Sequence, residues 1–182
     1  ALRYGAFQVV SIITTTGYVT ADYSIWPPLA QVLLLSLMFV GGCAGSTAGS
    51  VKCIRLQVVF KQISSEIRKF IHPHAAITVR VGSQKIENKM AASAATFVVL
   101  YILIFVFSSV AISATGQDMM TSFSAVATTL GNVGPGFGAV GPVNNFAGQH
   151  AAAKWIFSFC MLCGRLELYT ILVLFTRDAW HR

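Results

Sequence analysis

Thr128-Thr129-Leu130-Gly131-Asn132, at residues 128–132, closes a short helix-like stretch and opens a long run of turn-forming residues. Thr14-Thr15-Thr16-Gly17-Tyr18, at residues 14–18, stands in matching surroundings near the start of the chain. After its own turn-rich passage, each is followed by a long apolar run. Thr-x-Gly presented in this way is the chemistry of a cation selectivity filter. Glycine lets the backbone aim carbonyl oxygens along one axis, and threonine adds a hydroxyl oxygen. One copy alone reads equally well as a helix end followed by an ordinary loop. Two copies with matching flanks predict two quarters of a four-fold pore, with Gly17 and Gly131 as the landmarks of an internal repeat.

Composition places the chain in a bilayer. Mean hydropathy is +0.68, and charged residues make up 10% of the sequence, against about 25% in soluble domains. The chain opens on Ala1 and carries no signal-peptide pattern, so it reads as a piece of a longer protein. The net charge of +7 is compatible in principle with nucleic acid, but its distribution argues against that partner. Lys52, Arg55, Lys61, Arg68, Lys69, Arg80, Lys85 and Lys89 all fall in one connector, where Glu66 and Glu87 are the only acids. The positive-inside rule assigns this connector to the cytoplasm, with lipid headgroups or a partner protein as further contacts.

Three apolar segments are predicted to span: Leu29 to about Val51, Met90 to Ala114, and 151–176. Residues 4–14 and 119–130 are helical in pattern but too short to cross. Pro28 suits a helix start. Within the connector, residues to about Ile71 have apolar positions at helical spacing, and Ile77–Ile86 reads as a hairpin with a Gly82-Ser83 turn. The expected organisation has three parts. Residues 1–51 are a pore repeat lacking its opening helix, 52–89 a basic cytoplasmic connector, and 90–182 a complete repeat. The fold class is an all-α membrane protein of repeated span–pore helix–filter loop–span units, as in potassium channels. Both filter loops then face outside, and the tail with Arg177 and Arg182 lies inside. A loop at membrane depth is tolerated only when it is buried or lines water, and the C-terminal end of each short helix adds partial negative charge there.

Asp22 and Asp118 read better as caps or solvated acids than as a cation-concentrating mouth. Cys43, Cys53, Cys160 and Cys163 read as small core residues, because Cys160-x-x-Cys163 lies in an apolar run with no second pair. His72, His74 and His150 lack metal-ligand companions and read as surface residues, and Lys154 as a snorkelling cation. Gly134-Pro135-Gly136 lacks the strand and helix of a phosphate cradle. No nucleophile–base pair or metal cluster points to an enzyme, and no cofactor is expected. Gly41, Gly45 and Gly49 fall four apart, which reads either as a helix-packing stripe or as an unwound intramembrane loop. Arg165 lies deep in the last apolar run and must face water or a partner. It reads as bonded to backbone carbonyls or an acid, or as a pore-facing cation that sets a barrier. Glu167, two residues on, is a poor direct partner.

Four stretches together resemble the Trk/Ktr/HKT potassium transporter family, most closely its bacterial Trk-type membrane subunits. They are Ala127-Thr128-Thr129-Leu130-Gly131-Asn132-Val133-Gly134-Pro135-Gly136, Thr14-Thr15-Thr16-Gly17-Tyr18, Gly41-Gly42-Cys43-Ala44-Gly45-Ser46-Thr47-Ala48-Gly49, and Gly164-Arg165-Leu166-Glu167-Leu168. The resemblance covers nearly the whole chain, in order. It implies the C-terminal two of four pore repeats, the first two and the opening helix of the third being absent. It implies potassium uptake across the cell inner (plasma) membrane, with K+ as transported ion. The filter would be Thr14, Thr15, Thr16, Gly17 and Tyr18 with Thr128, Thr129, Leu130, Gly131 and Asn132, and K+ would be held at Thr15, Thr16, Thr129 and Leu130. The gate would be a loop containing Gly41, Gly42, Gly45, Ser46, Thr47 and Gly49, with Arg165 beneath it. Implied partners are membrane lipid, the remaining two repeats, a second copy in a homodimer, and a cytoplasmic nucleotide-binding regulatory subunit. Two alternatives stay open: sodium- or proton-coupled potassium symport, and a non-transporting assembly subunit held by its glycine face.

Overall fold

The computed structural model describes residues 2–43, 45–72, 80–81, 84–86, 88–166, 168–174 and 180. Glu167, His74, Glu87, Arg177, Arg182 and the Gly82-Ser83 turn lie outside the described residues.

The protein is predominantly helical. Helix α1 (Leu2–Ile13) is followed by a turn-rich segment and by α2 (Pro28–Leu37), with proline at its first position, where the missing N–H costs nothing. Helix α2 does not fill the apolar segment to Val51, and of the two readings of Gly41, Gly45 and Gly49 it is the unwound one that forms. The helix stops at Met38, and β1 (Val40–Gly41) and β2 (Val51–Lys52) pair in parallel, Val40 with Val51 and Gly41 with Lys52. The chain thus leaves the path of the helix, makes an irregular excursion between the two strands, of which 42–43 and 45–50 are described, and returns pointing the same way. Glycine, serine and threonine are weak helix formers in aggregate, and this stretch concentrates them.

Helix α3 (Cys53–Ile71) carries the basic connector, and β3 (Arg80–Val81) pairs antiparallel with β4 (Gln84–Lys85). Helix α4 (Asn88–Ser113) is the second apolar segment and forms as expected. Among the described residues, only its stretch Lys89–Ser113 is long and apolar enough to cross a bilayer in one piece. The third expected span is also broken. Helix α6 (Ala151–Arg165) ends at Leu166, and α7 (Leu168–Leu174) begins beyond it.

Helix α5 (Met119–Gly131) is the centre of the packing. From Ser124 to Gly131 every residue is buried, on all faces of the helix. It lies between α4 and α6, and Ala125, Val126 and Leu130 share a core with Phe97, Tyr101, Phe157 and Cys160. A second core joins the two halves of the chain, bringing Ile12, Tyr23, Leu34 and Met38 against Ala127, Val133 and Phe137. By contrast α4 leaves Val99, Ile102, Leu103, Val106, Phe107 and Val110 exposed.

Two cysteine expectations need correction. Cys160 and Cys163 are buried, but Cys43 and Cys53 are exposed. Those two sit in the excursion and at the first position of α3, away from both cores.

Candidate functional site: two helix ends around one cavity

Helices α1 and α5 end in the same way. Thr15 has φ 54° and Asn132 has φ 54°. The Thr16 N–H donates to the Ser11 carbonyl at 2.9 Å and the Val133 N–H to the Thr128 carbonyl at 2.9 Å; Thr15 donates to Ile12 and Asn132 to Thr129. This is the Schellman pattern, in which one left-handed residue lets two N–H groups bond back to the last turn. Two residues after each left-handed position comes a glycine with positive φ, Gly17 at 76° and Gly134 at 111°.

The backbone therefore equates Gly17 with Gly134, three residues beyond the Gly131 that the letters Thr-x-Gly suggested. Thr128, Thr129, Leu130 and Gly131 belong to the last turn of α5. The Thr128 and Thr129 carbonyls accept the two capping bonds, and the Leu130 carbonyl packs against Gly164 of α6. The threonine hydroxyls turn back as well: Thr129 Oγ1 donates to the Ala125 carbonyl at 2.7 Å and Thr14 Oγ1 to the Val10 carbonyl at 2.7 Å. A threonine in or just past the last turn of a helix satisfies itself in this way. The Tyr18 carbonyl accepts from Ser11 Oγ at 2.7 Å, while the Tyr18 ring is exposed.

The two loops meet. A side chain at Gly17 would collide with the Val133 carbonyl oxygen. A cavity of about 200 Å³ opens between them, lined on one side by Thr15 and Thr16 and on the other by Thr128, Thr129, Asn132, Val133 and Gly134, with Met161 of α6 at its edge. Of the residues expected at the filter, Thr15, Thr16, Thr128, Thr129 and Asn132 line this cavity; Val133 and Gly134 line it too and were missed. The signal that could have found them is Asn132 itself, since asparagine tolerates the left-handed conformation that ends a helix. Two helix C-termini converge here. Each carries partial negative charge from its last carbonyls, so a cation is favoured without any carboxylate.

The long loop after α5 is tied back to it. Ser124 Oγ donates to the Phe137 carbonyl and accepts from the Phe137 N–H, both at 3.0 Å, and Thr121 Oγ1 accepts from the Ala139 N–H at 3.0 Å. These bonds satisfy backbone groups that the irregular path leaves over. Asp118 Oδ2 accepts from the Thr121 N–H at 3.1 Å and Asp22 Oδ1 from the Ser24 N–H at 2.9 Å, so both acids are caps. Bonding from Thr121 holds the Asp118 carboxyl below the usual carboxylate range. His150 and Lys154 are also local ties: the His150 ring accepts from the Ala152 N–H, and Lys154 Nζ donates to the Ala147 carbonyl.

The 42–50 excursion lies directly against the end of α5. Gly41 packs on the Gly49 carbonyl, and Gly49 packs on the Gly131 carbonyl; a side chain at either would collide. These glycines permit close backbone contact, although not as a helix stripe. Arg165, at the end of α6, is exposed and donates through Nη1 to the Thr47 carbonyl. A cavity of about 120 Å³ lies there, lined by Ser46, Thr47, Ser50, Lys52, Arg55 and Arg165 among others. Of the residues expected at the gate, Ser46, Thr47 and Arg165 meet around this cavity, Gly41 and Gly49 hold the neck of the excursion, and Gly42 and Gly45 lie along it.

A sequence model of the TrkH family, described as a cation transport protein, matches residues 1–181. The Trk system potassium uptake protein TrkH of Salmonella typhimurium is 43% identical over 179 residues, which is 98% of this chain and 37% of that protein. The Trk system potassium uptake protein TrkG of Escherichia coli K12 is 37% identical over 174 residues, 96% of this chain and 36% of that protein. The crystal structure of the potassium transporter TrkH from Vibrio parahaemolyticus superposes with a TM-score of 0.87 at 40% identity, covering 96% of this chain and 37% of that one. The chain thus spans a little over a third of the length of the relatives it matches.

Proposed function

The chain belongs to the TrkH family of cation transport proteins, and on that premise we propose that it supplies half of a potassium-selective pore. The reading is a transporter rather than an enzyme, with residues 1–51 and 90–182 as two pore repeats joined by a cytoplasmic connector over 52–89. The observation that carries it is the meeting of two equivalent helix ends around one cavity, with Gly17 against the Val133 carbonyl. The filter begins at Thr14–Tyr18 and at Thr128–Asn132, and in the second loop extends through Val133 and Gly134. K+ is the transported ion. It exchanges hydration water for oxygens of the two loops, helped by the partial charges of the α1 and α5 C-termini.

Below the second filter, the excursion over 42–50 acts as the gate, since it presses on the Gly131 carbonyl and is held by Arg165. The guanidinium adds an electrostatic barrier to a permeating cation. Lipid covers the exposed face of α4, and the full protein is completed by two further repeats, a second copy and a cytoplasmic nucleotide-binding regulatory subunit, as the family resemblance implies.

The test is rubidium uptake with sodium competition, using the full-length parent in cells lacking their own potassium uptake. Gly17→Ser and Gly134→Ser are expected to reduce uptake or admit sodium, because both positions have positive φ. Gly148→Ser, at an exposed position with open space around it, is expected to leave uptake intact. Uptake unchanged by both filter substitutions, with the protein in the membrane, would refute the pore reading.

A further inference from the structure

We infer that Cys43 and Cys53 are a reversible redox pair, closed into an intrachain disulfide by exchange with a small disulfide of the glutathione class.

The two thiols flank the neck where the excursion leaves the helical path and rejoins it. The parallel pairing of β1 with β2 sets Gly41 beside Lys52. One residue further on, the Cys53 N–H donates to the Gly42 carbonyl at 3.2 Å, and Gly42 is joined directly to Cys43. Peptide dimensions carried across that bond place the two Cα atoms within about 7 Å of each other. A disulfide spans roughly 4.4–6.8 Å between Cα atoms. Both residues are anchored. The Cys43 carbonyl accepts from the Ser46 N–H at 3.0 Å, which closes a turn, and Cys53 is the first residue of α3. Cys53 Sγ donates to the Gly41 carbonyl at 2.9 Å, so its thiol lies over the neck. Cys43 and Cys53 are exposed, whereas Cys160 and Cys163 are buried. A solvent-borne disulfide therefore reaches the first pair and not the second.

The exchange takes two steps. One protein thiol loses its proton, and its thiolate attacks a sulfur of the small disulfide. That S–S bond breaks, one small thiolate leaves, and a mixed disulfide remains on the protein. The second protein thiolate attacks the protein-side sulfur of the mixed disulfide and expels the other small thiolate. The two cysteine protons end on the departing thiolates. The protein gives up two electrons, and the small disulfide is reduced to two thiols. Ring closure is favoured because the strand pairing has already brought the ends of this short segment together. In the proposed orientation the neck faces the cytoplasm, where thiols are kept reduced and a disulfide is transient. The pair also adjoins the cavity lined by Ser46, Thr47, Lys52, Arg55 and Arg165. The effect on transport rests on the pore reading above: a bond that draws Cys43 onto α3 reshapes that lining and lowers uptake.

The full-length parent, with cysteines outside residues 1–182 replaced by serine, is reconstituted in liposomes. It is equilibrated with oxidised and reduced glutathione in varied ratio on both sides of the bilayer. Excess oxidised glutathione is expected to remove two hydrogens from the protein mass and to link the peptides carrying Cys43 and Cys53. Excess reduced glutathione is expected to restore both thiols. In Cys53→Ser, Cys43 is expected to retain glutathione as a mixed disulfide. Rubidium uptake is expected to fall severalfold in the linked protein and to recover on reduction, with no such response when Cys43 and Cys53 are both serine. Thiols untouched by excess oxidised glutathione, two persistent glutathione adducts, or a bond between separate chains overturns the inference. So does a link that excess reduced glutathione does not open. A link that forms and opens while uptake stays constant overturns the effect on transport. A reversible link in a parent that takes up no rubidium even when reduced removes the pore reading and leaves the redox pair standing.

Discussion

Gly164 shows how little room the site allows a single atom. Its Cα faces the Leu130 carbonyl oxygen, and an added methyl would collide with that oxygen and approach Asn132 Nδ2 to 2.6 Å. Asn132 Nδ2 already donates to the Met161 carbonyl at 3.1 Å. Gly164→Ala is therefore expected to push α6 off the end of α5, with the cost of about 1–3 kcal/mol usual for overpacking. Thermal unfolding of the purified parent in detergent checks this as a lowered midpoint, and a midpoint matching the unsubstituted protein counts against the packing. Asp118 makes a second prediction at this scale. Asp118→Ala removes the N-cap of α5 and is expected to cost about 1 kcal/mol. Because the folded carboxyl titrates below its ordinary value, its contribution is complete at neutral pH. It is lost only as pH falls through the depressed folded value, so the unsubstituted protein and Asp118→Ala should converge in stability below the usual carboxylate range.

Among the elements, the excursion between β1 and β2 is the proposed gate. Its contacts with α5 are backbone to backbone through Gly49, backed by the hydrogen bonds of Ser50 and Arg165. Gly49→Ala is expected to displace the loop from Gly131 and raise rubidium flux in the closed protein severalfold, measured in liposomes beside the unsubstituted parent; unchanged or lower flux with normal folding would remove the loop from the gate. The elements also differ in how far their residues announce them. Helices α3 and α4 are legible, because nineteen residues of amphipathic pattern and a long uncharged apolar run leave one solution each. The break at Leu166 is not, because hydropathy averaged over a window is blind to where the backbone bonds are interrupted; the one at Met38 is legible only as one of two readings of Gly41, Gly45 and Gly49. In the proposed second filter, the letters and the backbone differ by three residues. Thr128-Thr129-Leu130-Gly131 has the letters of the first loop but continues α5, since burial on every side and back-bonded threonines keep it helical. Only the left-handed residues, Thr15 and Asn132, mark the correspondence of the two loops; asparagine's tolerance of that conformation is a signal at Asn132, whereas nothing in the letters distinguishes Thr15 from its neighbours.

Over the whole molecule, the proposed orientation divides the chain by charge and apolar surface into membrane and cytoplasmic parts. Lys61, Arg68 and Lys69 lie on α3 and Arg80 on β3, while the turns around Asp22, Asp118 and Val143 fall at the other ends of the apolar helices. In a cysteine-free parent, Glu66→Cys is expected to react with an impermeant thiol reagent only from the cytoplasmic side and Val143→Cys only from outside. Labelling of both from one side would overturn the orientation.

The enclosure of α5 from Ser124 to Gly131 has a consequence for how the protein is made. Thr121, Ser122, Ser124, Thr128 and Thr129 are all buried between its neighbours, and the helix is too short to settle across a bilayer by itself. During synthesis α4 emerges first and α6 last, so α5 has no finished berth until the ribosome has delivered both. It must wait at the translocation machinery or at the lipid headgroups and enter its slot only when α6 closes it. The proposed filter is thus among the last features to exist in a newborn chain, and a nascent protein stalled before α6 presents quality-control proteases with an unsheltered polar helix.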